Sequence, residues 1–170
     1  MRNYFLGLCL LFALCFTACS HSDDSVDVLI IGGGASGVTA GIQSARMGAA
    51  TLIVEETEWL GGMLTSAGVS AVDGNYDLPA GLFGEFREHL ADYYGGLDSL
   101  KTGWVSAVLF EPSVGNKIFH EMVDAEKNLK VWHNASLVKL EREKDVWIAQ
   151  IQMKDNTIKK IHAKILIDGT

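Results

Sequence analysis

The sequence VDVLIIGGGASG, residues 26–37, decides the fold of this 170-residue chain. Its first half is apolar and rich in β-branched residues, so Val26–Ile31 is predicted to be a buried strand that ends at glycine. The segment Ala35–Met47 follows as a predicted helix and closes at another glycine. A second predicted strand, Ala50–Val54, ends at Glu55. These elements together predict a β-α-β unit.

Three glycines in the first turn form a GxGxxG motif: Gly32, Gly34 and Gly37. By their positions, the first allows the tight turn, the second lets backbone approach a pyrophosphate, and the third lets helix and strand pack closely. The N–H groups that begin the helix favour a diphosphate. Glu55 follows Gly32 by 23 residues, near the spacing of about 20 at which a carboxylate accepts from ribose hydroxyls. We therefore expect a dinucleotide site.

The residues after Glu55 carry a resemblance that favours FAD over NAD. The string Gly61-Gly62-Met63-Leu64-Thr65-Ser66-Ala67-Gly68 resembles the FAD-dependent oxidoreductase family, in the glutathione-reductase-like (two-dinucleotide-binding) flavoprotein superfamily. In that superfamily a double glycine after the ribose-binding glutamate brings backbone close to the cofactor. The resemblance covers Val26–Thr170 and implies that a last strand, Ile165–Ile167, returns to the cofactor. Its ending, Asp168-Gly169-Thr170, departs from the commoner Ala-Thr-Gly form.

The resemblance assigns cofactor contacts to the glycine loop and helix start, to the double-glycine loop, and to one strand whose backbone would meet the adenine. These residues are Gly32, Gly34, Ala35, Ser36, Gly37, Glu55, Gly61, Gly62, Met63 and Val138. The implied activity is oxidation or reduction of a small organic substrate by FAD. The catalytic residues stay open, because flavin transfers the electrons and the protein positions and tunes it. A non-enzymatic binding protein on a vestigial FAD-binding fold is the alternative.

The rest of the chain predicts an α/β fold, Rossmann-like, with a parallel sheet and an inserted β-meander. The predicted helices are Gly81–Tyr94 and Pro112 to about Lys127, and Leu129–Trp132 is the third parallel strand. Meander strands are predicted at Leu137–Glu141, Val146–Gln152 and Thr157–His162. The FAD-binding domain, residues 26–170, is expected to be partial, with an N-terminal fragment and a degenerate gene as the two explanations.

The first 25 residues indicate export. An apolar run, Tyr4–Ala18, is shorter than the roughly 20 residues of a membrane-spanning helix and predicts a signal peptide over residues 1–18. The sequence Phe16-Thr17-Ala18-Cys19 resembles a bacterial lipobox, which implies that Cys19 is acylated and anchors the chain to a membrane. An ordinary signal peptide is the alternative. Residues 19–25 would form an acidic tether, compatible with a periplasmic or a cell-surface position.

Composition excludes several other partners. A formal net charge of −7, without a basic stripe, argues against binding to nucleic acid. All three cysteines lie within the first 19 residues, so the domain lacks thiolate ligands and redox pairs. The five histidines have no metal-ligand spacing, and no metal is expected. The polar loop from Asp73 to Asp77 is either part of a substrate pocket or a solvated turn.

Overall fold

The computed structural model describes residues 24–104 and 106–170 of the chain. The predicted signal peptide, the predicted lipidation site Cys19 and most of the predicted tether lie outside the described residues. The signal peptide and the lipidation site therefore stay predictions. The predicted tether is too long at its end, because Asp24 and Ser25 pair with Ile161 and His162 and belong to the first strand.

The described residues form three α-helices and eight strands. The helices are α1 (Ala35–Arg46), α2 (Gly81–Tyr94) and α3 (Pro112–Asp124), with short 3-10 helices at Gly62–Leu64 and Leu97–Leu100. The strands are β1 (Asp24–Ile31), β2 (Thr51–Val54), β3 (Ala71–Val72), β4 (Val108–Leu109), β5 (Leu129–Trp132), β6 (Ser136–Glu143), β7 (Val146–Gln152) and β8 (Ile158–Asp168). The predicted helices are confirmed, although α3 ends three residues before the predicted position.

Six strands form one sheet in the order β5-β2-β1-β8-β7-β6. The first four are parallel, and β7 and β6 run antiparallel to their neighbours. The predicted third parallel strand, β5, pairs with β2 as expected. A parallel sheet with an antiparallel extension and helices confirms the predicted α/β fold class.

The end of the sheet differs from the prediction. The sequence suggested a last meander strand and then a separate strand returning to the cofactor, but β8 is continuous over both. Its residues 158–163 pair with β7, and its residues 161–168 pair with β1. The two segments fuse because Ala163 and Lys164, which join them, include neither glycine nor proline and continue the extended chain.

The two faces of the parallel strands belong to two separate cores. Alternation along β1 places Ile30 among residues from the three helices and Leu29 against β7 and β8, and both side chains are fully buried. The antiparallel part of the sheet therefore curls back over the parallel part, where Ala149 and Ile151 cover it. The fold has three layers: helices, parallel strands and meander. Burying a side chain such as that of Leu29 or Ile30 stabilises the fold by about 1.5–3 kcal/mol.

Arg46 ties the helices together at their solvent side. Its guanidinium donates to both carboxylate oxygens of Glu85 on α2, at 2.7 and 2.8 Å, and to Glu126 after α3, at 2.6 Å. Among residues 24–104 and 106–170, no helix is long and apolar enough to cross a membrane.

Candidate functional site

The glycine turn joins the carboxyl ends of three parallel strands. Gly32 has a φ of +97°, and its N–H donates to the Val54 carbonyl at 2.8 Å. Gly169, after β8, donates its N–H to the Ile31 carbonyl at 2.7 Å. A Cβ on Gly32 would lie 2.7 Å from the Gly169 carbonyl carbon. The turn therefore accepts only glycine at this position, as the motif predicts.

Gly37 sits where α1 passes closest to β1. A Cβ there would overlap the Gly32 carbonyl oxygen, and a Cβ on Gly169 would lie 2.9 Å from the Gly37 Cα. This close packing agrees with the reason predicted for Gly37. At Gly34 an added Cβ would lie 3.3 Å from the Gly169 carbonyl oxygen, a tight contact but a milder one than those at Gly32 and Gly37.

The amino end of α1 suits an anion. Gly34 is the N-cap residue, its cap has no side-chain hydrogen bond, and the first turn contains no acidic residue. Helices leave their first N–H groups without intrahelical partners, and the helix dipole makes this end positive. Ala35 is half-buried and Ser36 exposed beside it. This end of the helix therefore fits the diphosphate of a dinucleotide.

Glu55 follows β2 and holds the glycine turn. Its Oε2 accepts from the Gly33 N–H at 2.7 Å, while its Oε1 accepts from the N–H and the hydroxyl of Thr57, both at 2.8 Å. A carboxylate offers about four acceptor positions, so about one remains for a ribose hydroxyl. The structure thus adds to the predicted ribose role a second one, in which Glu55 fixes the loop around it.

The double-glycine loop lies directly against the glycine turn. The Gly61 N–H donates to the Gly33 carbonyl at 2.8 Å, and Gly61 pairs with Gly34 in a short parallel bridge. A Cβ on Gly62 would lie 3.0 Å from the Gly34 Cα. The structure brings both predicted glycines to the candidate site. Met63, the next predicted residue, is 69% exposed beside them.

Val138 lies on the edge strand β6 and is exposed, at a shift in the register between β6 and β7. The segment before β6 reaches back to the site. Ala135 donates its N–H to the Glu55 carbonyl at 3.0 Å, and Asn134 donates its N–H to Thr57 at 3.3 Å. The predicted contact of Val138 with adenine stays a prediction.

Asp168 closes the turn after β8. Its Oδ1 accepts from the N–H of Thr170 at 3.1 Å and from the Thr170 hydroxyl at 2.7 Å. These two hydrogen bonds lower the pKa of Asp168. The aspartate that departs from the commoner motif therefore holds Gly169 in place against the glycine turn.

Two residues of the site escaped the sequence analysis. A Cβ on Gly33 would lie 2.9 Å from both the Glu55 carboxylate and the Leu60 side chain. Thr57 fixes Glu55 through two hydrogen bonds. The position of Thr57, two residues after a carboxylate, is the signal that could have indicated this local hydrogen-bonded turn.

The histidines near the site contact backbone. His120 Nε2 lies 3.3 Å from the Glu58 carbonyl oxygen, and His133 Nδ1 lies 3.1 Å from that of Thr57. Within the two described ranges, no three His, Cys, Asp or Glu side chains are grouped so that they could hold a metal ion.

Comparison with known proteins links this geometry to flavoproteins. Residues 27–170 match the family described as FAD dependent oxidoreductase. A search of curated proteins gave no significant match.

Solved structures share the fold. A flavoprotein/dehydrogenase from Cytophaga hutchinsonii is 15% identical with a TM-score of 0.61, over 85% of this chain and 39% of that one. The myxobacterial chondrochloren halogenase CndH, a variant of FAD-dependent halogenases, is 12% identical with a TM-score of 0.63, over 86% and 37%. The hydroxylase OxyS from Streptomyces rimosus is 16% identical with a TM-score of 0.59, over 85% and 31%. The chain thus spans between about a third and two fifths of these three proteins.

Proposed function

We propose that this chain, which belongs to the family of FAD-dependent oxidoreductases, is the cofactor-holding part of an enzyme that oxidises or reduces a small organic substrate. FAD is its cofactor. One observation carries the proposal: the glycine turn, the amino end of α1 and the Glu55 carboxylate converge where the parallel strands end. In open α/β sheets, ligands bind at this end of the strands.

The residues present fit FAD group by group. The amino end of α1, from Gly34 to Ser36, would bind the diphosphate. Glu55 would accept from the adenosine ribose with its remaining acceptor position, and the Gly61-Gly62 backbone would lie alongside the cofactor. When bound, FAD supplies the capacity to accept and donate electrons, and the protein supplies orientation and electrostatics.

We also propose a superfamily for the chain and a position for it in the cell. We place the chain in the glutathione-reductase-like superfamily, with residues 1–18 as a signal peptide and Cys19 as the acylated residue that anchors it outside the cytoplasm. The support is the lipobox-like sequence and the apolar run before it. The polar and acidic residues from Ser20 to Asp23 suit a tether between lipid and domain.

Cofactor binding is tested on the full chain after purification in the presence of FAD. We expect a visible absorption band at about 450 nm, the general property of oxidised flavin. Gly32→Ala should abolish the band, because the new Cβ would meet Gly169 backbone at 2.7 Å. Gly68→Ala is the matched control: this glycine also has a positive φ, of +77°, but nothing lies within 4 Å of its added Cβ. If the unaltered protein is folded, as judged by circular dichroism, but shows no flavin band, the proposal is refuted.

The anchor is tested by fractionating cells that express Cys19→Ala or Cys15→Ala. We expect only the first variant to leave the membrane fraction and to lose labelling by a fatty-acid analogue. Equal labelling of both variants would show that Cys19 is not the acylated residue. This result would leave the cofactor assignment unaffected.

A further inference from the structure

Two adjoining cavities lie between the polar loop after β3 and helix α2, away from the glycine turn. Their volumes are about 340 and 100 Å³, and they share four lining residues. The shared residues are Tyr76, Asp77, Lys101 and Ala107. The smaller cavity also reaches Arg87 of α2, and the larger reaches Trp104. We call the two together the Arg87 groove.

The guanidinium of Arg87, which lines the smaller cavity, has two donors without an acceptor among the described residues. Its Nη1 donates to the Tyr76 carbonyl at 2.5 Å, whereas its Nε is buried and has no partner within the described ranges. No side chain or backbone group of residues 24–104 and 106–170 accepts from Nη2 either. Nε and Nη2 form the edge through which a guanidinium binds a carboxylate with two parallel hydrogen bonds. A buried donor left without an acceptor is costly, which points to an acceptor supplied from outside.

The rest of the groove suits an acid with an apolar body. Lys101 adds a second cation, and its hydrogen bond with Asp98 raises the pKa of its ammonium. The Trp104 ring is fully exposed and lines the larger cavity together with Tyr76. The smaller cavity has a volume of about 100 Å³. One water takes about 30 Å³ in the liquid, so this cavity has room for a group of carboxylate size.

The groove is built on the chain that leaves the cofactor site. Ser70 donates its hydroxyl to the Leu64 carbonyl at 2.8 Å, in the 3-10 helix that begins at the second of the two glycines. β3 then pairs with β4, and Ser106 donates its hydroxyl to the Val72 carbonyl at 2.7 Å. The double-glycine loop and the wall of the groove are therefore successive parts of one hydrogen-bonded segment.

We propose that the Arg87 groove binds a small organic carboxylate. The carboxylate would accept hydrogen bonds from the Arg87 guanidinium, and the apolar part would lie along Tyr76 and Trp104. That the bound acid is the substrate of the enzyme rests on the proposed oxidoreductase function. Asp77 lies in the same groove and opposes a bound anion, so its charge should weaken binding.

The test is isothermal titration of the flavin-loaded full chain with benzoate, butyrate and the neutral benzamide. We expect an acid to bind at least about tenfold more tightly than benzamide, because only the acid forms charge-assisted hydrogen bonds. Arg87→Lys should weaken acid binding about tenfold or more, since lysine keeps the charge but loses the fork. Asp77→Asn should tighten it. The matched control is Arg142→Lys, at an arginine that contacts the Trp147 ring on the opposite part of the fold, and it should change nothing.

Each other outcome overturns the inference. These outcomes are benzamide bound as well as the acids, Arg87→Lys bound as well as the parent, or no binding of either acid to folded, flavin-loaded protein. If Arg87→Lys does not fold, Ala107→Phe fills the shared wall and leaves Arg87 in place; retained acid binding in that variant overturns the proposal.

The visible spectrum separates the two proposals. Flavin absorption without acid binding refutes the carboxylate site and leaves the cofactor proposal intact. Acid binding with no flavin absorption refutes the oxidoreductase proposal and leaves a carboxylate site whose ligand is not a flavin substrate.

Discussion

The glycine turn and the Arg87 groove are built in opposite ways. At the turn, three backbone segments meet so closely that a single added Cβ on Gly32, Gly37 or Gly169 would come within 3.0 Å of another residue's backbone. In the groove, long side chains surround open space, and the Trp104 ring is fully exposed. The first region binds through backbone that the fold itself fixes. The second region binds through the side chains that line it.

This difference separates recognition of the cofactor from recognition of the substrate. Diphosphate and ribose are the same in every dinucleotide, so a rigid backbone site serves them. A substrate pocket needs side chains whose replacement does not unfold the protein. Changes at the turn should therefore affect stability and cofactor binding together, whereas changes in the groove should affect ligand binding alone.

Gly37→Ala should have the largest effect and would break the turn. Its Cβ would overlap the Gly32 carbonyl oxygen, so the chain must shift, at a cost of about 3 kcal/mol in the free energy of unfolding. Flavin absorption should be lost with it. Urea unfolding and the visible spectrum measure both effects. Stability within about 0.5 kcal/mol of the parent would contradict the close packing described here.

Glu55→Gln should have the next largest effect. The amide keeps one oxygen acceptor but turns an NH₂ group toward one of the donors, Gly33 or Thr57, now bound by the carboxylate. We expect a loss of about 2 kcal/mol in unfolding free energy, the usual scale for hydrogen bonds to a charged group. FAD should also bind more weakly in a fluorescence titration. Glu56→Gln, at the exposed neighbouring residue, is the control and should match the parent in both measurements.

Arg46→Met should have an intermediate effect, since Arg46 joins the helices but belongs to neither region. About a third of the Arg46 and Glu85 side chains is exposed, so the pair should contribute about 1 kcal/mol or less at neutral pH. Lys117→Met, which removes an exposed pair at 3.7 Å from Glu121, should cost still less.

The contribution of Arg46 should depend on pH in one direction. Its guanidinium lowers the pKa of Glu85 below the ordinary value of 4.5. The stabilisation is therefore complete above pH 4.5 and is lost as the pH falls through the lowered pKa of the folded state. Thermal unfolding of Arg46→Met and the parent should converge in acid. A gap in the midpoint of unfolding that does not narrow at all as the pH is lowered below 4.5 would show that Arg46 acts through packing.

Trp104→Ala should have the smallest effect on stability and so sharpens the comparison. Its ring is fully exposed, so we expect a change within about 0.5 kcal/mol, together with weaker binding of benzoate. Trp132→Ala is the contrast. This half-buried ring packs against the core between the parallel strands and the meander, and it lies under the Lys159 ammonium. It should cost about 2 kcal/mol or more, because truncation removes packed apolar surface.

The turn could be predicted from sequence because glycine spacing encodes backbone geometry. Gly32 and Gly37 have the packing that their positions predict. The role of Gly33 could not be foreseen, because its constraint comes from Glu55 and Leu60, which lie more than 20 residues away in sequence and meet it only in the fold.

The groove could be predicted only in part. From sequence, the loop from Asp73 to Asp77 is either part of a substrate pocket or a solvated turn, and its Tyr76 and Asp77 line the groove. The place of Arg87 could not be foreseen, because Arg87 is one of many charged residues on an amphipathic helix and meets the carbonyl of Tyr76 only in the fold. The alternation of apolar and polar residues predicts each strand of the meander from that strand's own sequence. It does not reveal that β8 continues from β7 to β1, because that pairing depends on partners distant in sequence.

Because β8 is the last of the described strands to be made and pairs with β1, one edge of β1 stays unpaired during most of the synthesis of the chain. Every partner that β1 finds in β8 is made 137 residues later, which takes on the order of ten seconds at ordinary rates of translation. Throughout that interval one edge of β1 has no partner, and its Leu29, fully buried in the finished fold, lacks the residues of β7 and β8 that cover it. Late pairing of this kind makes folding slow and leaves the young chain open to aggregation. The strand that begins the fold is thus among the last to be secured.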